Sequence, residues 1–338
     1  MINFKNDYSD IAHEKLIALL IQSQKEANIG YGEDTHTKNA MKRIQSQFDH
    51  EVHVSFMVGG TITNKTVISH LLKPYEAVIS ASTGHIELHE TGAIEQTGHK
   101  IITIPSMDGK ISATDVLNVL ENHTDYHMVK PKLVYISNAT ETGLIYKKQE
   151  LIELYGVCQS HDLILFIDGA RLGVALSSVE TDLTLNDISK YSDIFYIGGT
   201  KNGALIGEAI VTKHAKYHEL LKYSIKQNGG LLSKGFLIAI QFEGLFTNDL
   251  FFEIARHANQ SAQCLIKGLN ELGVEFNSTP TNQQFLILTN DIVNTLSTSY
   301  QFEVWHDLNT KKMIRLVTTY RTTEKEIEHF LTNLKTLL

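Results

Sequence analysis

Four short stretches of the chain bring together residue types that can do chemistry. The first is Phe195-Tyr196-Ile197-Gly198-Gly199-Thr200-Lys201-Asn202-Gly203, an apolar run that empties into a glycine turn and presents a lysine. Small neighbours let such an amine shed water, which lowers its pKa and frees it for Schiff-base chemistry, although most lysines stay solvated. The GxxxxGK[ST] order of a P-loop is not there. The second is Leu163-Ile164-Leu165-Phe166-Ile167-Asp168-Gly169-Ala170-Arg171, where another apolar run delivers a carboxylate at what reads as the end of a strand. Ligands of open α/β sheets sit just outside such ends, and capping a helix is the competing role for a lone aspartate. The third, Met57-Val58-Gly59-Gly60-Thr61, is a glycine turn that opens a helix. Free N–H groups there, with the Thr61 hydroxyl, make an anion site suited to a phosphate. No GxGxxG occurs, so a dinucleotide site is disfavoured. The fourth is Ser82-Thr83-Gly84-His85, whose imidazole either lies flat on an aromatic ring or serves a structural cap.

Each signal is weak alone, but their order on one frame is specific. A phosphate cup (Gly59, Gly60, Thr61), a ring-stacking His85, an Asp168 for a pyridine nitrogen and a Lys201 amine preceded by the Thr200 hydroxyl follow one another along the chain. Asp168 beside a protonated pyridine nitrogen would keep the ring electron-withdrawing. That combination implies pyridoxal 5'-phosphate (PLP), which acts as an electron sink.

Positioning these groups requires strands that alternate with helices. Strands are expected at Val52–Val58, Ala77–Ala81, Lys100–Ile104, Leu133–Ile136, Leu163–Ile167, Asp193–Ile197 and Glu208–Val211. Helical spacing occupies the intervals, including Thr61–Leu72, Glu87–Thr97, Thr114–Asn122 and Lys148–Ser160, with further helices at Ile11–Glu26 and Thr37–Phe48 ahead of the first strand. The pattern indicates an α/β fold with a mainly parallel sheet flanked by helices. Past Lys213 the texture changes: Tyr217–Tyr223, Leu231–Leu245 and Phe251–Leu272 read as helices, Phe285–Leu288 and Met313–Val317 as strands, and Glu324–Leu337 as a closing helix. We therefore expect a large cofactor domain over 1–250, including the N-terminal segment, and a smaller α+β domain over 251–338.

Composition excludes several classes. The 338 residues are 42% hydrophobic and 20% charged, with a formal net charge of −8 and no basic run, which argues against nucleic acid. Two cysteines, Cys158 and Cys264, form neither a disulfide framework nor a metal pattern, and sixteen histidines are scattered, so no metal is expected. The N-terminal stretch, with Asp7, Asp10 and Glu14 among polar residues, does not read as a signal peptide, and no apolar run reaches the length of a membrane span. A cytoplasmic location is the expectation.

On these motifs the chain resembles the threonine aldolase and β-eliminating lyase family of fold type I PLP enzymes, over most of its length from Asn6-Asp7 to Arg315. Asp168-Gly169-Ala170-Arg171 matches the family's DGAR, Gly59-Gly60-Thr61 its phosphate loop, His85 with Glu90 its stacking-histidine segment, Lys201 its Schiff-base lysine, and Arg315-Leu316-Val317-Thr318 its C-terminal RLVT. The resemblance implies that Arg171 and Arg315 hold an amino-acid carboxylate, since guanidinium forks suit carboxylates. It implies a role for Asn6 in the same task, where the family has a serine, and places Tyr31, Gly32 and Asp34 at the entrance or at a subunit boundary of a homodimer or homotetramer. It also implies cleavage of the Cα–Cβ bond of a β-hydroxy amino acid to glycine and an aldehyde. The family's histidine for the substrate hydroxyl is missing from Ser137-Asn138-Ala139-Thr140-Glu141-Thr142-Gly143, which leaves His85, Glu141 through a water, or water alone as base. β-Elimination or transamination would use the same Lys201 and Asp168, and a non-catalytic binding module or a Rossmann dehydrogenase are the readings from other classes.

Overall fold

The apolar runs between residues 53 and 212 assemble into one sheet. The computed structural model describes residues 1–338. Strands β1 (His53–Met57), β2 (Glu76–Ala81), β3 (Ile101–Ile104), β4 (Lys130–Ser137), β5 (Ile164–Asp168), β6 (Ile194–Gly198) and β7 (Glu208–Thr212) lie in the order β1-β7-β6-β5-β4-β2-β3. Only β7 runs against its two neighbours; β2 through β6 pair in parallel. Both faces are covered, which is why these strands read as continuous apolar runs rather than as alternating ones. Leu133, Tyr135, Ile164 and Phe166 point into one core, and Val134, Ile136, Leu165 and Ile167 into the other. Phe166 is fully buried, so its truncation to alanine costs about 3–5 kcal/mol.

Several helices end where their backbone demands it. The helix expected over Glu87–Thr97 is cut to His85–Leu88 and a 3-10 turn at Glu95–Thr97, because Thr91 and Gly92 take left-handed φ values of 53° and 71°. Tyr217–Tyr223 splits into Ala215–His218 and Leu221–Gln227 at Leu220, whose φ is 61°. The helix read from Leu231 begins at Phe236. It is buried on almost every side, and packs on the helices Glu14–Gln22 and Thr35–Gln45.

A 23-residue helix, Leu250–Leu272, leads to the C-terminal layer. There β8 (Phe276–Asn277), β9 (Gln283–Thr289), β10 (Glu303–Asp307) and β11 (Lys311–Val317) form an antiparallel sheet in the order β10-β11-β9-β8. The closing helix Glu324–Leu337 starts from a reciprocal Thr323–Glu326 cap. The start of the chain is stitched into this layer: Ile2–Asn3 pairs in parallel with Tyr300–Gln301, and Phe4 packs with Leu286, Ile314 and Phe330. The α/β class with a smaller C-terminal α+β layer is as expected from sequence. No helix is long and apolar enough to cross a membrane.

Candidate active site

Asp168 ends β5 between two tyrosines supplied by the flanking strands. Its Oδ2 accepts from the Tyr135 hydroxyl at 2.6 Å and from Asn64 Nδ2 at 3.0 Å. Its Oδ1 accepts from the Tyr196 hydroxyl and from the Ala170 backbone N–H at 2.9 Å. Burial alone would push this carboxyl up, yet the nearby His85 and the hydrogen-bond donors more than offset it, and the group lies below the usual aspartate range. Burial and the Asp168 charge push both phenols well above the ordinary tyrosine value, so they remain donors. The result is a sealed, ionised carboxylate, 4% exposed, at the carboxyl end of a central strand.

Lys201 sits in the turn after β6, the strand next to β5. The Gly198 N–H donates to the Gly169 carbonyl at 2.9 Å, which ties the lysine turn to the aspartate turn. A Cβ on Gly169 would lie 1.8 Å from the Tyr196 carbonyl oxygen, and one on Gly198 would lie 2.4 Å from that of Ala170, so the close approach needs glycine at both places. The Lys201 amine is depressed below the ordinary lysine value by burial and by Arg171, with Asp7, Asp168 and Glu208 opposing. The Tyr8 ring lies beside it, its centroid 5.9 Å from Nζ. Thr200 Oγ1 accepts from the Gly207 N–H at 3.0 Å, while Glu208 on β7 accepts from the Gly199 N–H at 3.0 Å. Burial pushes Glu208 up to about 8.

Gly59 and Gly60 open the helix Gly60–Leu71, which has no side-chain cap, so its first N–H groups are left for a ligand. Gly59, Gly60 and Thr61 line one cleft with Lys65 and Asn228. His85 is held from below: Nδ1 pairs with Glu90 Oε1 at 2.8 Å, and its backbone N–H donates to Glu141 Oε1 at 3.0 Å. Glu90 lies beyond the short His85–Leu88 helix rather than within it. Asn64 Nδ2 donates to Glu90 at 2.8 Å as well as to Asp168, linking the histidine and the aspartate through one amide. Ser137 holds Glu141 Oε1 at 2.7 Å, and burial raises the Glu141 pKa.

The carboxylate-binding set is less uniform. Arg171 gives Nε and Nη2 to Asp7, at 2.7 and 3.0 Å, in a bidentate pair that is almost fully buried. One edge of Arg171, a residue expected from sequence to meet a substrate carboxylate, is thus occupied by Asp7, which leaves chiefly Nη1 for a substrate. Asn6 spends its Oδ1 on the Tyr8 N–H and the Ser9 hydroxyl, at 3.1 and 2.7 Å, which leaves its amide NH2. Arg315 on β11 donates from Nη1 to Gln283 Oε1 at 3.1 Å and from Nη2 to Glu303. Asp34 is buried and caps the helix Thr35–Gln45 through Thr37 at 2.8 Å, so it lines no entrance; Tyr31 and Gly32 border a cleft with Lys222 and Gly230.

The structure therefore gathers Asp168, Lys201, Thr200, His85, Arg171 and Arg315 around one centre. Asp7, Asn64, Tyr135, Tyr196, Glu208 and Glu303 are the members sequence reasoning missed. Buried polar atoms without partners cluster here too: Asn64 Oδ1, Glu90 Oε2, Glu141 Oε2 and Arg315 Nε. An ionised acceptor, a depressed amine, an imidazole and an uncapped helix start fit a phosphorylated pyridine aldehyde.

The β-eliminating lyase family model matches residues 18–291. The chain is 34% identical over 269 residues to a low-specificity L-threonine aldolase of a Pseudomonas species, covering 77% of this chain and 75% of the relative. A second such enzyme, from Pseudomonas aeruginosa, is 31% identical over 266 residues, with 77% and 75% covered. Among solved structures, a Leishmania major threonine aldolase superposes with a TM-score of 0.98 at 42% identity, over 100% of this chain and 99% of that one. Thermus thermophilus aspartate aminotransferase superposes with a TM-score of 0.74 at 16% identity, over 100% of this chain and 92% of that one, a likeness of fold alone.

Proposed function

Because the chain belongs to the β-eliminating lyase family, we infer that it is a PLP-dependent carbon–carbon lyase of threonine aldolase type, cleaving a β-hydroxy amino acid to glycine and an aldehyde. The observation that carries the reading is an ionised Asp168, held by four donors, on the strand beside a Lys201 amine of lowered pKa. When bound, PLP supplies the electron sink that accepts the electron pair of the broken Cα bond.

The chain's own residues do the rest. Asp168 would hold a pyridine N–H proton, and its tyrosine donors keep it charged. Gly59, Gly60 and Thr61, with the Thr200 hydroxyl, receive the phosphate. Lys201 is the buried amine that would hold the cofactor's aldehyde carbon, its lowered pKa favouring the neutral form that this requires. Arg315 would take the substrate carboxylate, with Arg171 Nη1 and the Asn6 amide beside it, and so fix the orientation of the substrate's Cα. His85, close to Asp168, would flank a bound ring and is the better base for the β-hydroxyl proton. Its Nδ1 is committed to Glu90, so Nε2 is the nitrogen that accepts, whereas Glu141 Oε2 is sealed from solvent. The absence of a membrane-spanning helix is compatible with a cytoplasmic enzyme, and the family resemblance supports a homodimer or homotetramer, which light scattering on purified protein would test.

Incubation of the holoenzyme with L-threonine should release acetaldehyde and glycine in equal amounts. Pyruvate and ammonia from serine or cysteine, with no aldehyde from any β-hydroxy amino acid, would replace this reading with β-elimination.

A further inference from the structure

Arg315, the residue assigned to a substrate carboxylate, already carries a carboxylate of the protein. Glu303 on β10 lies directly opposite Arg315 on β11 in the antiparallel register, so the sheet itself sets up the pair. Glu303 Oε2 accepts from Arg315 Nη2. Gln283 takes Nη1, and the Trp305 ring supports the guanidinium from one face, its centroid 4.7 Å from Cζ. Nε is buried without any partner, and Nη1 and Nη2 each keep a second N–H.

The Asp7–Arg171 pair nearby shows what a permanent ion pair looks like in this protein. Asp7 has a side chain 2% exposed, accepts two bonds from one guanidinium, and gains a third from Asn282 at 3.2 Å. The Glu303 side chain is 43% exposed and is held through a single nitrogen. It also sits on the edge strand of its sheet, where the register slips between Val304 and His306. A carboxylate half in water on an edge strand can turn outward with little loss, and a sealed bidentate one cannot.

We propose that Glu303 gates the α-carboxylate subsite, holding Arg315 until the carboxylate of an incoming amino acid displaces it into solvent. This rests on the aldolase reading only in taking an amino-acid carboxylate as the ligand of Arg315. A substrate carboxylate that reaches Arg315 Nη2 meets Glu303 at the same nitrogen, and like charges at that range repel. The other charged groups around Arg315 are Arg171 and Asp7, and His89 approaches the same mouth. Glu303 thereby acts as an internal competitor that loosens substrate binding.

The test is a glycine titration of the holoenzyme, followed by the visible absorbance of the bound cofactor, on wild type, Glu303→Gln and Glu303→Ala. Removing the rival charge should lower the glycine Kd roughly fivefold in both variants. The KM for L-threonine should fall with it. An unchanged or raised glycine Kd in either variant overturns the gate, because Glu303 would then brace Arg315 or be idle. Wild-type protein that binds glycine but cleaves no β-hydroxy amino acid would sink the aldolase reading and leave the gate standing. Cleavage by wild type with no tightening in the variants would sink the gate alone.

Discussion

Asp168 and Arg315 are the ionised groups at the two ends of the site, and they are held in opposite ways. Asp168 receives donors from β4, β6, the next turn and the helix Gly60–Leu71, so both of its oxygens are fixed by elements of the main sheet layer. Arg315 stands on a small antiparallel sheet, leaves Nε unpaired, and shares Nη2 with a half-exposed glutamate. The cofactor end is preorganised, so little has to move when charge develops. The substrate end keeps donors that can be reassigned, as a site must when its ligand comes and goes.

The largest break in that comparison comes from Lys201→Ala. It should reduce turnover of β-hydroxy amino acids to background and abolish the absorbance band of the lysine-linked cofactor, while the apoprotein keeps its thermal midpoint. Asp168→Asn keeps the shape and removes the charge. Steady-state kinetics should then show kcat lower by on the order of 10²-fold, with weaker cofactor retention on dialysis.

Asp7→Asn tests whether the fixed style extends to Arg171. Leaving that buried guanidinium unpaired should destabilise the fold by about 3 kcal/mol in urea unfolding. Burial opposes ionisation of Asp7, but Arg171 prevails and holds it below the usual aspartate range. A depressed carboxylate stabilises the fold fully above its unfolded value, about 3.9, and that contribution is lost as pH falls through the lower folded value. Wild type should therefore lose stability more steeply than Asp7→Asn below about pH 4. The smallest effect is expected from Trp305→Leu, which removes the ring beneath Arg315 and should raise the KM for L-threonine about threefold with the cofactor's visible absorbance intact.

Legibility in the sequence followed the same divide. Asp168 and Lys201 stood out because each closes a buried apolar run, and the adjacency of β5 and β6 follows from parallel strands laid side by side. Tyr135 and Tyr196 were invisible as donors because a tyrosine in a buried strand reads as core. Asn64 was hidden inside a helix, where one polar residue among several signals nothing. The Asp7–Arg171 pair joins residues 164 positions apart, a distance that no local pattern spans. Glu303 became meaningful only once a register placed it opposite Arg315. The failed helix over 87–97 has a local cause, since the left-handed pair Thr91-Gly92 overrides a plausible apolar spacing.

The single reversed strand, β7, means that the chain leaves the lysine turn and comes straight back. Gly199 and Thr200 donate their N–H groups to Gly207, at 3.0 and 3.2 Å, so the two limbs close on each other without a crossover helix. Contacts of such short range cost little to close, and both limbs are buried throughout, so this return is expected to open late as one unit. In hydrogen–deuterium exchange the amides of this return should stay protected after those around β10 and β11 have exchanged, and a partly unfolded molecule would still carry its reactive amine on an intact arch.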